Sequence, residues 1–201
     1  MSDLATKAKK GLQWSALERF LTQGIQLAIT LYLARLLGPT AFGLVGMLAV
    51  FIAIANVFVD SGFTSALIRK TDRTEIDLVT AFYYNIAMAG LCYLALYVSA
   101  PFVADFYRRS ELQPLLRVLG LTVLINAFTL IPRVKLNVEM DFKTQAKISV
   151  LSVMISGPTA IILAINGYGV WALVTQALLN ASCATLLFNF FFPLVTAWIQ
   201  Y

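Results

Sequence analysis

The 26 residues from Leu78 to Val103 contain no charged side chain, and the 28 from Ala41 to Ile68 contain only Asp60. A bilayer hydrocarbon core of about 30 Å is crossed by roughly 20 mostly apolar residues in a helix. Runs this long and this free of charge therefore belong in lipid. The whole chain agrees: of 201 residues, 60% are hydrophobic and 12% charged, against about 45–50% and about 25% in soluble domains. Its mean hydropathy is +0.81. Intrinsic disorder is excluded, since disordered chains are charge-rich and poor in aromatics. Two cysteines cannot staple a chain of this length. Cys92 and Cys183 lie in apolar runs, where a free thiol behaves as a small hydrophobe. With no histidine present, zinc ligation and histidine acid–base chemistry are excluded, and neither metal nor cofactor is expected.

The pattern predicts an all-α polytopic bundle of six transmembrane helices, over about 12–37, 41–68, 78–103, 115–136, 148–165 and 170–194. Gly38-Pro39-Thr40 and Asn166-Gly167-Tyr168-Gly169 are the shortest connectors, with Gly and Pro as punctuation. Period-2 alternation is missing, which argues against strands. The first apolar segment is too long for a cleaved signal and carries Glu18 and Arg19, so it reads as a retained helix. The lead-in from Leu4 to Leu12, with Lys7, Lys9 and Lys10, is expected at the headgroup level.

Counting Lys and Arg by side gives ten on the N-terminal side and four opposite, with Arg19 inside the first span. This asymmetry places both termini in the cytoplasm. It also accounts for most of the +5 net charge, so no basic nucleic-acid-binding domain is implied.

Polar residues inside spans are costly and therefore informative. Ser15, Arg19, Thr22, Gln26 and Thr30 recur at helical spacing and draw one stripe down the first helix, bordered by Glu18 and Gln23. The second span repeats Asn56, Asp60 and Thr64; the fourth carries Thr122, Asn126, Thr129 and Arg133; the sixth has Gln176 and Asn180. Ser149, Ser152, Ser156 and Thr159 in the fifth read as helix–helix glue. The first-helix stripe exceeds what a packed apolar interface satisfies, which points to a water-filled cavity shared by several helices. Arg19, Gln26, Asn56, Asp60, Asn126, Arg133 and Lys135 are the cavity candidates. Asp60 caps the Ser61-Gly62 break, pairs silently with an arginine, or is a charge whose protonation or pairing changes during transport. Its candidate partners are Arg19 and Arg133, while Glu18 and Arg19 can instead pair at the helix start. Arg133, Lys135, Lys143 and Lys147 serve the charge bias or attract an anionic lipid head group. The aromatics read as interfacial belt and packing. Phosphate-loop, Asp-rich metal and Gly-x-Ser-x-Gly motifs are absent from the sequence, so an enzyme is not expected.

Several segments together look familiar. They are Trp14-Ser15; Leu33-Ala34-Arg35-Leu36-Leu37-Gly38-Pro39-Thr40-Ala41-Phe42-Gly43; Asp60-Ser61-Gly62-Phe63; Ala100-Pro101-Phe102-Val103-Ala104-Asp105-Phe106-Tyr107; Ile131-Pro132 leading to Met140-Asp141-Phe142-Lys143; and Gly167-Tyr168-Gly169-Val170-Trp171. In order and spacing the chain resembles bacterial polysaccharide flippases of the multidrug/oligosaccharidyl-lipid/polysaccharide superfamily. The resemblance implies translocation of an undecaprenyl-pyrophosphate-linked oligosaccharide across the bacterial plasma membrane by alternating access. The cation-rich cavity would then bind pyrophosphate or an acidic sugar, and Arg19, Arg35, Asp60 and Arg133 would be the charges to test. Arg35 and Glu18 are candidates for gating or ion pairing. Such flippases have two six-helix lobes, whereas this sequence supplies one, residues 1–201. The expectation is a fragment of a larger transporter whose partners are lipid-linked oligosaccharide, membrane lipids and a second lobe; pairing of two copies is the alternative. Export of small compounds and a non-transporting scaffold are the competing functions.

Overall fold

The computed structural model describes residues 2–60, 75–138 and 141–191. These form six helices: α1 (Ser2–Asp60), α2 (Glu75–Phe106), α3 (Leu112–Ala127), α4 (Leu130–Val138), α5 (Phe142–Ile165) and α6 (Val170–Phe191). Among the described residues there is no strand. Among the described residues, four segments are long and apolar enough to cross a membrane: Thr22–Asp60, Val79–Phe106, Lys143–Ile165 and Val170–Phe190. Large apolar side chains cover the outside; Phe106 and Phe190 are 80% and 82% exposed. Such a surface is stable against lipid and not against water. The protein is an all-α, multi-pass membrane bundle.

Thr22–Asp60 is 39 residues long, close to 58 Å at about 1.5 Å per residue. One straight helix of that length overshoots a bilayer of about 30 Å. Gly38 interrupts it, with φ 71° and ψ 179°, a conformation open essentially to glycine alone. Pro39 follows as the first residue of the next arm, where its missing N–H costs nothing. The kink therefore falls where the sequence put its first connector. The segment expected over 61–68 lies outside the described residues.

The two arms of α1 pack on different partners. Ile29 and Leu33 on the first arm bury against Val153 and Ala160 of α5. Gly157 makes this seam close, because a Cβ there would overlap Ile29 Cδ1 and stand 3.1 Å from Cγ1. Leu44, Leu48, Ala55 and Val59 on the second arm join Ala89, Cys92 and Leu96 of α2 and the buried face of α3. Leu112, Leu115, Leu116, Leu119 and Val123 supply that face. Their spacing of three and four residues gathers them along one stripe. Leu136, Ile148 and Phe188 tie α4, α5 and α6 together.

The expected fourth span, 115–136, is two helices. Pro132 has no N–H, so the Phe128 carbonyl lacks its i+4 donor, and the ring crowds that carbonyl. Phe128 N and Thr129 N turn instead to Ile125 O and Asn126 O, at 3.3 and 3.0 Å. The next helix starts earlier than expected. Asp141 Oδ1 accepts from Thr144 N at 3.2 Å, and Thr144 Oγ1 donates to Asp141 Oδ2 at 2.6 Å. This side-chain cap begins α5 at Phe142, so Lys143 and Lys147 lie within the helix and not in a connector.

The serine stripe of α5 is also corrected. Ser152 Oγ and Thr159 Oγ1 each donate to a carbonyl four residues back in their own helix, at 2.8 Å. Ser152 and Ser156 are 1% exposed, so their small size lets helices approach while their hydroxyls are satisfied locally. They do not bond across the interface.

Candidate functional site

The break between α3 and α4 opens a cavity of about 320 Å³ against the second arm of α1 and the start of α2. Its walls are Asn56, Val59 and Asp60 of α1, Asn85 of α2, Val123, Asn126 and Ala127 of α3, then Thr129, Leu130 and Arg133. Local chemistry shapes each wall. Thr129 Oγ1 donates to Asn126 O at 2.7 Å, a second bond to the carbonyl that already accepts from Thr129 N. Asn85 Nδ2 donates to Ala127 O at 3.2 Å and ties α2 to the end of α3. A carbonyl only accepts, so this bond fixes the amide's orientation. Asn85 Oδ1 is buried with no hydrogen-bond partner. The Arg133 guanidinium lies over the Phe188 ring, 5.7 Å from its centroid, which steadies the cation beside the cavity.

Four of the candidates named from sequence meet here from three segments: Asn56 and Asp60 of α1, Asn126 of α3 and Arg133 of α4. Gln26 does not: it is half-buried on the first arm of α1, which packs on α5. Arg35 is exposed on the same arm, away from the cavity lining. Glu18, Arg19 and Lys135 belong to helices α1 and α4, with side chains outside the described residues. Sequence reasoning missed Asn85. Its signal was available, because Asn85 is a carboxamide in a span without any charge, but it belongs to no stripe. A second missed feature is Arg117, whose guanidinium carbon stands 4.2 Å from the Tyr97 ring centroid.

The cavity offers three carboxamides, one hydroxyl, one carboxylate and one guanidinium. Among the described residues no three His, Cys, Asp or Glu side chains converge. Such a lining binds by hydrogen bonding and charge; it contains no nucleophile paired with a base. Fold and site together define a membrane-embedded helical bundle with a polar-lined cavity.

Comparison with known proteins gives the family. Residues 32–199 match the family described as polysaccharide biosynthesis protein, and the chain belongs to it. It is 32% identical over 183 residues to the teichuronic acid biosynthesis protein TuaB of Bacillus subtilis strain 168, covering 90% of this chain and 38% of that protein. It is 26% identical over 197 residues to the lipopolysaccharide biosynthesis protein WzxC of Escherichia coli K12, covering 94% and 38%. With the succinoglycan biosynthesis transport protein ExoT of Rhizobium meliloti it shares 28% over 182 residues, covering 88% and 36%. The chain thus spans less than two-fifths of these relatives' length. No solved structure matches it.

Proposed function

We propose that this chain forms one six-crossing lobe of a flippase that moves lipid-linked oligosaccharide across the bacterial inner membrane for surface polysaccharide assembly. The observation that carries the reading is the cavity itself, which gathers Asn56, Asp60, Asn126 and Arg133 from three helices. A membrane bundle keeps such groups only where they face water or a polar cargo. The names of the relatives place them in teichuronic acid, lipopolysaccharide and succinoglycan biosynthesis.

Counting the arms of α1 separately and α3 with α4 as one gives six crossings, with both termini cytoplasmic by the ten-to-four cation count. In that orientation the cavity lies in the cytoplasmic half, near the level at which cargo enters. Arg133 faces the anionic linkage, with Lys143 and Lys147 exposed on the first turns of α5 to attract it. Alternating access requires a second lobe, supplied by further chain or by another copy. Translocation changes no covalent bond, in keeping with a transporter and not an enzyme.

The test is Arg133→Ala, with Arg133→Lys beside it, in the full-length protein in cells. Surface polysaccharide is expected to fall about tenfold or more in the alanine variant at unchanged protein level, the effect of losing a charged hydrogen bond. Undiminished export in both variants refutes the reading.

A further inference from the structure

The donors and acceptors of the cavity are mixed, and that mixture discriminates between ligands. An anion alone would leave the Asp60 carboxylate facing like charge, and it brings no hydrogen to any acceptor. A metal cation would be repelled by the Arg133 guanidinium. An apolar ligand would strand the carboxamides of Asn56 and Asn126. A neutral polyhydroxylated ring fits all three constraints, since each hydroxyl both donates and accepts, as each carboxamide does. The size agrees: about 320 Å³ lies at the small end of ligand pockets, which run from about 300 to 1,000 Å³. A single sugar ring is accommodated.

Asn85 adds an independent observation. It is 3% exposed, its nitrogen is held by Ala127 O, and its Oδ1 is buried without a hydrogen-bond partner. Buried acceptors without a donor are costly, so a ligand hydroxyl or acetamido N–H that a small side-chain shift brings within reach is drawn to it.

Resting on the flippase reading above, we propose that this cavity is a neutral-sugar subsite. In it Asn56, Asn126 and Asp60 hydrogen-bond one ring of the cargo, Asn85 Oδ1 accepts from a donor on that ring, and Arg133 faces the adjoining anionic linkage. Sugar recognition and anion recognition are thereby assigned to different side chains of one cavity.

The experiment uses the chain in lipid nanodiscs, free of glycoside detergents, with two separate probes. Methyl N-acetyl-β-D-glucosaminide is followed by saturation-transfer NMR and inorganic pyrophosphate by phosphorus line broadening. The glycoside is expected to receive saturation. Its affinity should drop about tenfold in Asn126→Ala and in Asn56→Ala, the effect of about one hydrogen bond, with pyrophosphate broadening retained. Asn85→Leu is expected to act likewise, and the Asn56 and Asn126 variants decide the matter if it fails to fold. Arg133→Ala should show the reverse pattern. Absence of saturation transfer, or transfer indifferent to both Asn56→Ala and Asn126→Ala, overturns the subsite. If pyrophosphate binding survives that result, the flippase reading stands without it; if pyrophosphate also fails to bind, both fall.

Discussion

Replacing Gly157 by alanine tests the packing that places the first arm of α1. The added Cβ would overlap Ile29 Cδ1, lie 3.1 Å from Cγ1 and lie 3.6 Å from Cγ2. Lipid offers no hydrophobic drive for helices to associate, so seams of this kind rest on close packing. Overpacking a filled site costs about 1–3 kcal/mol, while Gly→Ala in a helix interior returns about 0.8–1 kcal/mol. Gly24→Ala isolates the second effect, because nothing lies within 4 Å of a Cβ there. The two alanine variants should therefore differ by the steric cost, about 1–3 kcal/mol, with Gly24→Ala the more stable. Ile29→Val deletes the overlapping methyl at a cost of about 0.5–1.5 kcal/mol on its own. In that background the Gly157→Ala penalty should shrink by at least about 1 kcal/mol, a coupling that a double-mutant cycle resolves. Reversible denaturant titration in mixed lipid–detergent micelles gives the four stabilities. Equal effects of Gly157→Ala and Gly24→Ala, or strict additivity with Ile29→Val, would refute the close approach of α1 to α5.

Two further outcomes follow from local backbone chemistry. Gly38→Ala places a Cβ in a conformation reserved for glycine and should cost about 1–3 kcal/mol in the same titration; a neutral result would contradict the kink. Asp141→Ala removes the cap on α5 and should cost about 0.5–2 kcal/mol, whereas Asp141→Asn, which keeps the acceptor, should stay within about 0.5 kcal/mol of the parent. Equal losses in the two variants would contradict the capping role.

Apolar run length and Gly-Pro punctuation made the helices legible, and helical spacing correctly brought Asn56 and Asp60 to one face. The rest depended on interactions that spacing does not encode. Pro132 broke the fourth helix four residues upstream of itself, at Phe128, and this break turned Asn126 and Arg133 toward a shared space. Asn85 stood alone in its span, so periodicity gave it no weight. Thr22, Gln26 and Thr30 drew a polar stripe as good as any, yet Ile25, Ile29 and Leu33 beside it took the arm onto α5 instead. The start of α5 was hidden because a single Asp–Thr pair across one turn outweighs the lysines after it.

The central claim, that a water-filled cavity takes lipid-linked sugar, is tested most directly by cysteine labelling. Cys92 and Cys183, both free thiols, are first replaced by alanine. Asn126→Cys in the cavity and Leu91→Cys on the lipid-facing surface are then treated with a membrane-impermeant thiol reagent. The expected result is rapid labelling at position 126, slowed severalfold by lipid-linked oligosaccharide, and little labelling at position 91. Labelling at position 126 that is as slow as at position 91, or indifferent to the lipid-linked sugar, would contradict the account.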